Sequence, residues 1–98
     1  MKSKKTLRIA EILRSRFPAT RDSAYKLFAG LTKRDVIPVF DFANIEVPAL
    51  GFLDSILCMV EVHYPDAEFI NGSEFTSKMI DAVKERRRHR HDVFKSAP

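Results

Sequence analysis

The chain has 98 residues, 45% of them hydrophobic, which suits one small domain with a core and excludes two. Its net charge of +4 divides unevenly: +8 over residues 1–34, −8 over 35–77 and +4 over 78–98, an acidic middle between basic ends. The longest mainly apolar run, 47–53, is too short to span a membrane, the basic start lacks the apolar stretch of a secretory signal, and the single Cys58 excludes an internal disulfide, so a soluble cytoplasmic protein is expected.

Residues 1–6 are polar and are expected to fray. The segment 7–13 fits either a short strand or a helical turn. Phe17-Pro18-Ala19 is a break, because proline disfavours helix at the residue before it. Thr20 is an N-cap candidate, and Ala24, Leu27, Phe28 and Leu31 follow at helical spacing, which predicts a helix over about 21–32. The run 36–42 reads as a strand buried on both faces, with Pro38 at its entry and pairing from Val39 onward.

Asn44 marks a turn. From Ala49, the residues Leu53, Ile56, Leu57, Val60 and Tyr64 share a helical face that ends near His63, ahead of Pro65. Cys58 within it reads as a small buried hydrophobe. A short strand over 67–70 follows. Asn71 and Glu74 have capping-box spacing, and Phe75, Met79, Ile80 and Val83 form the buried stripe of a last helix, polar from 84 onward. The alternation of strand and helix predicts an α/β fold: a short central sheet of about three to four strands with about three packed helices. The domain is placed at 7–90, with flexible tails at 1–6 and 91–98.

Three stretches carry a resemblance. Thr20-Arg21-Asp22-Ser23-Ala24 resembles a hydroxyl-Arg step before a first long helix. Val39-Phe40-Asp41-Phe42-Ala43-Asn44-Ile45 resembles an apolar strand ending in Asp-Phe. Gly51-Phe52-Leu53-Asp54-Ser55-Ile56-Leu57 resembles a Gly-Phe-x-Asp-Glu-Ile helix start. In that order, with His63-Tyr64-Pro65 and the segment 71–80, they are similar to the STAS-like domain, a small prokaryotic domain related in pattern to anti-sigma factor antagonists. The likeness covers about 7–83 and makes Arg21, Asp41 and Phe42 motif positions. It implies a STAS-type fold and a regulatory, protein-binding role without cofactor or catalysis. It also implies a partner of the histidine-kinase-type ATPase class, docked on the strand-to-helix loop. In the antagonists that loop carries a phosphorylated serine; here Ala49, Leu50 and Gly51 stand in its place, and Ser55 lies a turn further on.

The expected contact surface is therefore loop 46–54, with Glu46, Pro48, Ala49, Leu50, Gly51, Phe52 and Asp54. Leu50 and Phe52 would anchor, and Glu46 and Asp54 would steer a basic partner. Asp54 also fits an ion pair with Arg21, and Asp41 fits either a strand-end acid bonded to turn amides or a ligand-facing carboxylate. Asp41, Glu46 and Asp54 lack a nucleophile or phosphate loop beside them, so an enzyme is not expected. The three histidines do not match a metal-ligand spacing. Arg86, Arg87, Arg88 and Arg90 fit a solvated helix end, or an alternative: phosphate contacts to nucleic acid, or contact with an acidic partner or the acidic middle of a second copy in a homodimer.

Overall fold

Three parallel strands, β1 (Ser3–Arg8), β2 (Val36–Asp41) and β3 (Glu68–Ile70), pair in the order β1-β2-β3. The computed structural model describes residues 3–31 and 36–96, with side chains as far as Arg88. Among the described residues four helices complete it: α1 (Ile9–Leu13), α2 (Arg21–Ala29), α3 (Leu50–His63) and α4 (Glu74–Ser96). The fold is a small α/β domain, with three strands and one helix more than the sequence predicted.

Register decides which strand residues meet the helices. Leu7 lies opposite Phe40, and Phe40 opposite Phe69, so one row of alternating residues faces a common core. Phe40 packs edge-on against Phe28 of α2 at 5.5 Å and stacks on Phe69 at 5.4 Å. The helices that connect these strands, α2 and α3, pack on each other and share the core with Phe40. The opposite face is closed by side chains. Lys4 of β1, opposite Ile37, reaches Glu68 of β3, opposite Val39, at 2.9 Å, so that bridge crosses β2 diagonally. Val39, between Thr6 and Glu68 in the register, is buried outside the main core.

Several expectations are corrected. Residues 3–6, expected to fray, are paired with Val36, Ile37, Pro38 and Val39. They were illegible because an edge strand needs little apolar alternation: only Leu7 of β1 is buried. The segment 7–13 is both things in turn, strand through Arg8 and helix from Ile9. At the far end α4 continues to Ser96, where a loose tail was expected from 91.

Pro38 stands inside the paired strand, opposite Lys5. Phe42 N–H donates to the Ile70 carbonyl at 3.0 Å, so β2 amides of that parity point toward β3. Pro38 shares the parity, but β3 pairs only from Val39 onward, so its missing N–H faces no strand.

The helix ends follow local chemistry. Thr20 caps α2, its hydroxyl accepting from Ser23 N–H at 3.1 Å, and α2 closes at Gly30 rather than near 32, which lies outside the described residues. At the start of α4 the cap is Ser73, whose hydroxyl accepts from Thr76 N–H at 3.0 Å. Asn71 is not that cap: it sits at φ 58° in the left-handed region that Asn tolerates. The buried stripe of α4 runs Thr76, Ile80 and Val83, while Phe75 is exposed. Cys58 is likewise exposed, on the outward stripe of α3 that also holds Asp54 and Glu61. No helix among the described residues is long and apolar enough to cross a membrane.

Candidate functional site

The carboxyl ends of parallel strands are where α/β sheets expose their loops. Two such loops lie together here. After β2, Phe42 accepts from Ile45 N–H at 3.0 Å, closing a turn with Asn44 at φ 67°. The chain then runs beside the loop that follows α1. Glu46 N–H donates to the Arg16 carbonyl at 3.0 Å, and Ala49 N–H donates to the Pro18 carbonyl at 2.9 Å. Arg16 and Glu46 add a side-chain ion pair at 3.6 Å. Buried Pro48 and half-buried Ala49 seat the segment against the core.

This lacing leaves three large apolar side chains in solvent: Phe17 at 58% exposure, Val47 at 48% and Leu50 at 50%. Gly51 is exposed beside them at the start of α3, whose N-cap residue Ala49 offers no side-chain acceptor. Leu50, Gly51, Asp54, Val83, Arg86 and Arg87 line a shallow cavity of about 190 Å³ between α3 and α4. The strand-to-helix loop and the basic helix, separate leads in the sequence, thus meet at one place.

Phe52 is not a surface anchor. It is fully buried, because it lies one helical turn before Ile56 and therefore on the apolar stripe of α3. Asp54 does not pair with Arg21, which is exposed at the start of α2. Its carboxylate accepts instead from the Arg87 guanidinium at 3.0 Å, while the same guanidinium makes two further 3.0 Å bonds to Glu61. Glu61 foremost, then Asp54, hold the Arg87 proton more firmly than in a free arginine. Arg87 is therefore turned back onto α3, while Arg86 and Arg88 face solvent and the Arg90 side chain lies outside the described residues.

Asp41 closes a different contact. Its Oδ1 accepts from Ala43 N–H at 2.9 Å and from Asn71 Nδ2 at 3.0 Å, tying the end of β2 to the turn after β3. These bonds, the Ala43 amide first, with a smaller contribution from Arg8, hold its pKa below the ordinary aspartate value. Phe42, the motif residue beside it, is buried in the core. Ser55 is buried too, its hydroxyl donating to the Gly51 carbonyl at 2.8 Å.

Sequence reasoning missed Phe17 and Val47. Phe17 was legible only as part of a break, although an aromatic residue beside proline in a loop of arginines is itself a surface signal. Set against protein family models, curated proteins and solved structures, the chain finds no match.

Proposed function

We propose that the chain is a non-catalytic protein-interaction module of STAS-like type. Its contact surface is the patch of Phe17, Val47 and Leu50 at the carboxyl end of the sheet. The observation that carries the reading is the joint exposure of Phe17 and Val47, on two loops fixed to each other by backbone hydrogen bonds, and of Leu50, the first residue of the helix that follows. A rigid apolar patch with a polar rim is the form that protein contact sites take. The resemblance supplies the expected partner class, an ATPase of the histidine-kinase type. The loop offers no accessible hydroxyl for phosphorylation: residues 49–51 have none, and Ser55 is engaged inside α3. Binding on this surface is constitutive with respect to phosphorylation of that loop.

Quantitative affinity capture from the native host tests the reading. Wild type should retain a partner that Phe17→Asp and Leu50→Asp lose and that Val62→Asp retains, since Val62 is exposed on α3 away from the patch. A partner profile identical across all four proteins overturns it.

A further inference from the structure

The charges around this patch specify the partner's chemistry, an inference that rests on the interaction reading above. The acids that border the patch are paired, Asp54 through an arginine that it shares with Glu61. Glu46 holds Arg16 at 3.6 Å, and Asp54 holds Arg87 at 3.0 Å. The expected steering of a basic partner by these two carboxylates therefore has little free charge behind it. Three exposed arginines remain near the patch, against Glu61, which shares Arg87, and the exposed Asp22 beside Arg21. Arg86 lines the cavity beside Leu50 and has no ion pair among the described residues. Arg14 and Arg21 flank Phe17 along the chain, both exposed and likewise without an ion pair among the described residues.

We infer that the patch receives an acidic protein segment carrying apolar anchor side chains. The anchors cover Phe17, Val47 and Leu50, and a carboxylate of the partner reaches Arg86 at the lip of the cavity. Complementary charge at the rim sets orientation and excludes basic competitors, while the apolar centre supplies affinity. Nucleic acid fits the same surface less well. Within the patch Phe17 supplies a single ring, while Val47 and Leu50 are aliphatic, so successive bases find no stacking platform.

A display library of short random peptides, selected on the immobilised full chain and counter-selected on Leu50→Asp, reads out the preference directly. The most enriched peptide is then labelled with fluorescein and titrated by anisotropy. Acidic sequences with apolar residues should dominate. Affinity should fall about fivefold in Arg86→Glu, the size expected for reversing one exposed charge. It should fall more than about tenfold in Leu50→Asp, as for losing a central anchor. Circular dichroism verifies that both variants fold. Enrichment of basic or uncharged peptides that still depend on Leu50, or an acidic peptide indifferent to Arg86→Glu, overturns the acidic-partner inference and leaves the interaction surface standing. No enrichment, or enrichment equal on Leu50→Asp, overturns the surface itself. An oligothymidylate that binds wild type tighter than the peptide and is lost in Arg86→Glu assigns the patch to nucleic acid and also overturns the inference.

Discussion

Removing the Arg87 guanidinium tests whether α4 is fastened to α3 as the side chains indicate. Arg87→Met keeps the apolar stem and deletes three hydrogen bonds of 3.0 Å, one to Asp54 and two to Glu61. The arginine side chain is only 18% exposed, but both carboxylates are about half in water. They are rehydrated, not stranded, when the arginine goes. Exposed ion pairs contribute roughly 0.2–1 kcal/mol each, and charge-assisted bonds in drier surroundings more, so the combined loss should be about 1–2 kcal/mol. For a domain of this size that lowers Tm by roughly 5–10 °C. Urea unfolding followed by far-UV circular dichroism measures it, with Glu61→Gln and the double variant completing a cycle. In about 1 M salt, where screening reaches within roughly 3 Å, the loss should shrink by about half. Arg88→Met, whose Glu85 pair is exposed, should stay within about 0.5 kcal/mol of wild type. A loss below about 0.3 kcal/mol refutes the fastening. A loss above about 4 kcal/mol refutes the argument from hydration, since that is the cost of stranding a buried charge.

Three further expectations concern the same region. Phe52→Ala should cost about 3–5 kcal/mol in urea unfolding, because the ring is fully buried, whereas Leu50→Asp should stay within about 0.5 kcal/mol; equal effects would contradict the assignment of one to core and the other to surface. Asp41 titrates with a lowered pKa in the fold, so its contribution is complete above the unfolded-state value near 3.9 and is lost as pH falls through the lower folded value. Wild type should therefore exceed Asp41→Ala in stability at neutral pH, and the gap should close in acid below about pH 4; a gap independent of pH removes the charge from the explanation. Gly51 has open space where a Cβ would stand and no positive φ, so Gly51→Ala should raise stability by up to about 1 kcal/mol; destabilisation measured by the same unfolding assay would show a close approach at that turn.

Local pattern carried much of this protein. The spacing of Ala24, Leu27 and Phe28 wrote α2, Thr20 wrote its cap, and Pro65 marked the end of α3. The alternation of elements wrote the α/β class. These features depend on residues within a few positions of each other, so the sequence displays them directly. Tertiary structure decided the rest. The pairing of residues 3–6 depends on a partner strand some thirty positions away, which periodicity does not record. Whether Leu50 or Phe52 meets solvent turned on which side of α3 the core takes up. Asp54 chose Arg87 over Arg21, and Phe17 came to stand beside Val47, only because folding closes long loops between them. Charge and hydrophobicity say what a side chain can do, and the packed backbone decides which neighbours it does it with.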